Sequence, residues 1–137
     1  MALDLGKRRI GLALSDPLGL TAQGLETLDR TRIREDLDRL AALAADRDVR
    51  LFLVGNPLHM SGSEGRQSEY VQDFARRLEA RTKIPVKLWD ERLTTVEAQR
   101  VLRESGIGIE KRARAVDRLA AVILLEGYLD YLRHASE

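Results

Sequence analysis

The chain has 137 residues, 44% hydrophobic, 33% charged and 4% aromatic. That suits one domain over residues 1–137 and excludes both a disordered chain and two full nucleotide-binding lobes around a cleft. Twenty-three basic residues against twenty-two acidic ones leave a net charge of +1, so a polyanion has to be met by a local patch.

With no cysteine, disulfides, thiol nucleophiles and thiolate metal sites are excluded. No apolar stretch approaches the ~18 residues of a membrane span, and Met1-Ala2-Leu3-Asp4 does not open like a signal peptide. The expected location is the cytoplasm, with no membrane partner.

The first third reads as short strands. Residues 1–5 alternate Leu3, Asp4, Leu5 and stop at Gly6; the basic turn Lys7-Arg8-Arg9 leads to a second strand over 10–15. Asp16-Pro17-Leu18-Gly19 is another turn, followed by a third strand over 23–28. Connections this short favour antiparallel hairpins. From residue 31 the period changes. Ile33, Leu37, Leu40, Leu43 and Ala44 share one face of a helix over 31–46. Residues 49–54 form a compact apolar strand, and a turn-rich loop over 55–65 precedes a helix over 64–81 with Val71, Phe74, Ala75 and Leu78 inward. A fifth strand covers 86–90. Thr94-Thr95-Val96-Glu97 supplies a capping box for a third helix ending near Gly106, and a last helix runs over 112–133. Three strands followed by strand–helix alternation predict an α/β domain: a mixed five-stranded sheet with helices on both faces.

Acids inside strands or apolar stripes need a reason. Asp4 is flanked by Leu3 and Leu5, and Asp90 and Glu91 directly follow Leu88 and Trp89. Asp117 shares a helical stripe with Ala121, Leu124 and Tyr128. Singly, each acid is explained by an ion pair: Asp4 with Arg8 or Arg9, Glu91 with Arg92, Asp117 with Arg114. Jointly they suggest more. The first strand of such a sheet is usually central, and a helix crossing it, with Ala120 and Ala121 small enough for close approach, brings Asp117 beside Asp4. Carboxylates gathered in one place repel unless a cation neutralises them. Oxygen ligands without His or Cys select Mg²⁺ or Mn²⁺, and two such ions roughly 4 Å apart can polarise a phosphodiester, activate water and stabilise the departing oxygen. Strand alternation puts Asp90 and Glu91 on opposite faces, so only one points at the centre.

Five ordered blocks resemble the YqgF/RuvX family. They are Asp4-Leu5-Gly6 with Lys7-Arg8-Arg9-Ile10-Gly11, then Ser15-Asp16-Pro17-Leu18-Gly19-Leu20-Thr21-Ala22, and Val54-Gly55-x-Pro57-Leu58-x-Met60-x-Gly62-x-Glu64-Gly65. Trp89-Asp90-Glu91-Arg92-Leu93-Thr94-Thr95 and Val116-Asp117-x-Leu119-Ala120-Ala121 complete the set. The resemblance implies a ribonuclease H-like fold, shared with Holliday-junction resolvases. It also implies a metal-dependent nuclease, associated in bacteria with maturation of the 5′ end of 16S ribosomal RNA. On the matched positions it implies Asp4, Glu91 and Asp117 as catalytic metal ligands, with Asp90 as a substitute or addition. Asn56, His59 and Ser61 depart from the family, which more often has an apolar residue, Asn and Asp there. These departures bear on substrate contacts of the loop and leave the metal centre untouched. His59 reads as an exposed loop histidine, with a proton shuttle as the other reading.

Three segments offer phosphate contacts: Lys7-Arg8-Arg9, the loop over 55–65 with its backbone N–H groups and following helix N-terminus, and Lys111, Arg112, Arg114 and Arg118 around the start of the last helix. All flank the acids. Trp89, Phe52 and Phe74 read as core and Tyr70 as a surface filler, so no base-specific readout is expected. The leading expectation is an Mg²⁺/Mn²⁺-dependent endonuclease on structured RNA, above all precursor rRNA, or on branched DNA. Resolving a junction calls for a homodimer, whereas trimming an RNA end suits a monomer. A non-catalytic nucleic-acid-binding factor on the same fold is the second class. A sugar-kinase or actin-like ATPase needs a second phosphate loop and lobe that this chain does not contain.

Overall fold

The computed structural model describes residues 1–57, 65–90 and 109–135, with side chains over 114–134 in the last stretch. In it β1 (Ala2–Leu5) and β2 (Arg9–Ser15) pair antiparallel, Asp4 opposite Gly11 and Leu5 opposite Ile10. β3 (Ala22–Asp29) extends the hairpin. Its ladder with β2 carries a bulge at Gly11: Ile10 opposes Leu28 and Leu12 opposes Leu25, leaving Glu26 and Thr27 against one residue. The β2–β3 turn is tied by Asp16, whose Oδ1 accepts from the backbone N–H groups of Leu20 (2.6 Å) and Thr21 (3.0 Å). Those bonds, led by Thr21, hold its carboxyl below the usual value.

β4 (Phe52–Asn56) joins β1 in parallel and β5 (Val86–Asp90) joins β4, giving the order β3-β2-β1-β4-β5. The crossovers are α1 (Ile33–Asp46) and α2 (Arg66–Thr82). They cover one face, where Leu3, Leu5, Ile10, Leu12, Phe52 and Val54 bury against Leu37, Leu40, Val71, Phe74 and Leu78. On the other face α3 (Ile109–Ala135) lays Ala121, Leu124, Leu125, Tyr128 and Leu129 over Ala2, Ala13 and Leu53. Small residues on that face of β1 and β2 let the helix come close, so β1 is central and covered on both sides. Burying each Leu or Phe contributes about 1.5–3 kcal/mol relative to exposure.

The architecture is the one expected, with shifts at element ends: α1 begins at Ile33, α2 at Arg66, and the helix expected over 112–133 covers Ile109–Ala135. The strand expected over 49–54 begins at Phe52: Val49 N–H donates to Ala44 O (2.9 Å) at the end of α1, Asp48 turns the chain at φ 53°, and Leu51 O accepts from the Met1 amino group (2.9 Å). α2 ends on Lys83, a left-handed residue at φ 61° whose N–H donates to Glu79 O (2.8 Å). The helix expected over 94–106 lies outside the described residues, as does most of the loop over 55–65.

Candidate active site

Asp4 sits half-buried on the central strand, on the face of Ala2 that α3 covers. Its cross-strand partner is Gly11. A Cβ on Gly11 would lie 2.0 Å from the carbonyl oxygen of Asp117 and 2.5 Å from its carbonyl carbon. Helix α3 therefore rests directly on the β2 backbone at Asp117, over the residue paired with Asp4. The backbone segments that carry two acids 113 positions apart in the chain thus approach one another at Gly11, a position without a side chain.

Arg9, two residues before Gly11 on the same face, donates from Nε to Asp117 Oδ2 at 2.8 Å. Both side chains are about one-fifth exposed, at 19% and 20%. Arg114, the partner anticipated for Asp117, instead pairs with Asp29 at 3.1 Å. Its direction follows from the helix, which turns residue 114 toward β3 while Asp117 turns toward β2.

Asp90 closes β5 opposite Asn56 and is exposed. Lys87 lies over the Tyr128 ring, 5.8 Å from its centroid, and Trp89 packs edge-on against Tyr128 at 5.3 Å, so both are on the α3 face. Val86 and Leu88 pack against the α1/α2 core, and alternation carries Asp90 to that side, opposite Asp4. Glu91 lies outside the described residues, as does His59.

Lys7 and Arg8 are exposed on the turn that follows Asp4. Arg118 has a protein partner, its Nε donating to Leu25 O at 3.1 Å, so Arg114 and Arg118 brace α3 against β3. The side chains of Lys111 and Arg112 fall outside the described set. Phe52 and Phe74 are fully buried in the core as expected. Tyr70, expected as a surface filler, has a partner: its hydroxyl accepts from Arg30 at 2.6 Å.

Among the described residues, no three His, Cys, Asp or Glu gather to hold an ion. Asp4 and Asp117 nevertheless have the donor chemistry that such an ion takes. Both offer hard carboxylate oxygens, and Arg9 takes only Oδ2 of Asp117. Mg²⁺ is commonly held by one or two carboxylates completed by water and substrate phosphate.

A family model described as "RuvX: Holliday junction resolvase" matches residues 1–131. The chain belongs to the RuvX family. A relative from Koribacter versatilis (strain Ellin345), named "Putative pre-16S rRNA nuclease", is 52% identical over 130 residues, 95% of this chain and 85% of that protein. One of the same name from Clostridium novyi (strain NT) is 45% identical over 130 residues, 95% of this chain and 96% of the relative. Among solved structures, T. thermophilus RuvC in complex with Holliday junction substrate superposes with a TM-score of 0.60 at 15% identity, covering 97% of this chain and 93% of that one. That likeness shows the fold: ribonuclease H-like, as the sequence resemblance implies.

In this RuvX chain two features escaped sequence reasoning. Gly11 was legible as part of a motif, but its contact with Asp117 depends on where α3 lands. Asp36 reads as an ordinary polar position on α1, yet it is fully buried. The only signal in the sequence is its place beside Leu37, one step from the apolar stripe.

Proposed function

We propose that this RuvX protein is a cytoplasmic, Mg²⁺- or Mn²⁺-dependent endonuclease, one nuclease domain that processes the 5′ end of precursor 16S rRNA. The observation that carries the reading is the contact of α3 with Gly11, which sets Asp117 over the cross-strand partner of Asp4. Asp4 and Asp117 would hold the ion, with Glu91 as third ligand because alternation takes Asp90 to the opposite face. When bound, such an ion polarises the phosphodiester and offsets the charge that develops during displacement. Arg9 orients the Asp117 carboxylate, and the exposed Lys7 and Arg8 receive the phosphate backbone beside it. Lys111 and Arg112 complete the basic residues assigned to the nucleic acid. Relatives at 45–52% identity carry a pre-16S rRNA nuclease name, which favours the RNA substrate.

Branched DNA is the second reading, favoured by the description of the family model. It requires a two-fold homodimer, whereas RNA trimming needs only the monomer. The test is cleavage of a precursor-rRNA fragment and of a synthetic four-way junction in Mg²⁺, Mn²⁺ and EDTA, by wild type and Asp4→Asn. Metal-dependent cutting of the RNA that Asp4→Asn abolishes is expected. Full binding without turnover in any metal would establish the non-catalytic reading instead, and undiminished cleavage by Asp4→Asn would refute the role of the acid pair.

A further inference from the structure

The α1/α2 face of the sheet contains an ionic network inside an apolar core. Asp36 is completely buried, and both of its oxygens are used. Oδ1 accepts from Thr31 N–H (3.0 Å), Thr31 Oγ1 (3.1 Å) and Arg39 Nη2 (2.7 Å), while Oδ2 accepts from Arg30 Nε (3.2 Å). Arg30 is only 10% exposed. Its Nη2 donates to the Tyr70 hydroxyl (2.6 Å), and its guanidinium carbon stands 5.5 Å from the ring centroids of both Tyr70 and Phe74. The remaining arm, Nη1, donates to the backbone carbonyl of Gly6 at 3.1 Å.

A buried ion pair is a poor device for stability alone, since well-packed apolar replacements are often as good or better. What this one supplies is direction. Asp36 and two aromatic rings fix the guanidinium plane, and the plane aims one nitrogen at Gly6. Gly6 follows Asp4 by two residues, and its own N–H donates to Arg9 O at 2.9 Å. The backbone N–H of Arg30 also donates to Arg8 O at 2.7 Å. One residue thus grips the β1–β2 turn at both ends. That turn separates Asp4, whose cross-strand partner Gly11 lies under the Asp117 backbone, from Arg9, whose side chain bonds Asp117 on the opposite face.

We propose that Arg30, aimed by Asp36 and Tyr70, is a positioning residue for the Asp4–Asp117 pair: it sets the β1–β2 turn from behind the sheet. The inference rests on the metal-site reading above. Lysine cannot replace it, because a single ammonium has no planar fork to span Asp36, Gly6 and Tyr70 together.

The test is Mn²⁺ affinity, measured by calorimetry and by EPR of free Mn²⁺ on wild type, Arg30→Lys and Tyr70→Phe, with thermal melts alongside. Arg30→Lys is expected to weaken Mn²⁺ binding by about 10- to 100-fold, the usual loss when a group supporting a metal ligand is removed. Tyr70→Phe, which frees one arm of the fork and leaves the rest, is expected to weaken it by about two- to tenfold. A merely structural network would lower the melting temperature and leave the affinity of the folded protein unchanged. Folded variants that bind Mn²⁺ like wild type therefore overturn the proposal, and Tyr70→Phe decides alone if Arg30→Lys does not fold. A wild-type protein that binds no Mn²⁺ overturns the metal-site reading itself, which is a different result from equal binding by all three proteins.

Discussion

Replacing Gly11 with alanine tests the closure of the site in one step. The new methyl would lie 2.0 Å from the Asp117 carbonyl oxygen, 2.5 Å from its carbonyl carbon and 3.2 Å from its Cα. All three are backbone atoms of a long helix, so no rotamer change relieves the overlap. Restoring ordinary contact requires α3 to retreat by about 1.4 Å. Overpacking costs about 1–3 kcal/mol, and a backbone clash belongs at the upper end. At roughly 3–4 °C per kcal/mol for a domain of this size, the melting temperature should fall by about 10 °C. The same retreat draws Asp117 away from Asp4, and a misplacement of about 1 Å can lower turnover by ~100-fold. Gly24→Ala is the control. Its methyl would approach Arg118 Cγ at 2.5 Å and Cδ at 2.7 Å, on a flexible side chain that can swing aside, and Val122 Cγ2 at 3.3 Å, which has to give by only a few tenths of an ångström. It should cost about 1 kcal/mol through the lost bond to Leu25 O, and cleavage should survive. Melting curves and single-turnover cleavage of the RNA substrate read both effects. A Gly11→Ala protein that melts and cleaves like wild type would refute the closure of α3 on β2.

Asp117→Asn should abolish metal-dependent cleavage and lower stability by about 1–3 kcal/mol, since it leaves the mostly buried Arg9 guanidinium facing a neutral amide; a cleavage assay beside a urea melt separates the two. Asp36→Asn should cost about 3 kcal/mol at pH 7, because it leaves the buried Arg30 guanidinium, and one arm of the partly exposed Arg39, facing a neutral amide. Burial pushes the Asp36 carboxyl up, but its bonds from Thr31, Arg39 and Arg30 outweigh that and hold it below the ordinary 3.8. A group depressed on folding contributes stability that is whole above its unfolded value and disappears as pH falls through the folded one. The gap between wild type and Asp36→Asn in urea midpoint should therefore shrink below pH 3.8, and a gap constant from pH 7 to acid would count against the network. Lys83→Gly should raise stability by up to ~1 kcal/mol, as glycine takes the left-handed cap without a Cβ penalty; a lowered denaturation midpoint would contradict this.

Much of the fold was legible because it follows from local periodicity. The two-residue alternation of β1, the 3.6-residue stripe of α1 and α2, and the short hairpin connections each declare themselves within a few residues. The acids were legible for a related reason: Asp4 and Asp117 break apolar patterns that nothing local explains. Side-chain partners were less so. Arg114 lay close enough in sequence to serve Asp117, yet helix geometry sends it to Asp29, while Arg9 arrives from the far end of the chain. Val49 reads as strand, but its N–H bonds to Ala44 at the end of α1, a contact its own side chain does not announce.

The amino-acid order alone determined which elements form, which faces are apolar and which carboxylates lack a local purpose, because propensity and periodicity act over one or two turns of chain. Only the tertiary structure decided that α3 lands on Gly11, that Asp90 takes the face opposite Asp4, and that Arg30 reaches through to Gly6. Those outcomes depend on contact distances between segments dozens of residues apart, and no local pattern encodes the separation of two backbones.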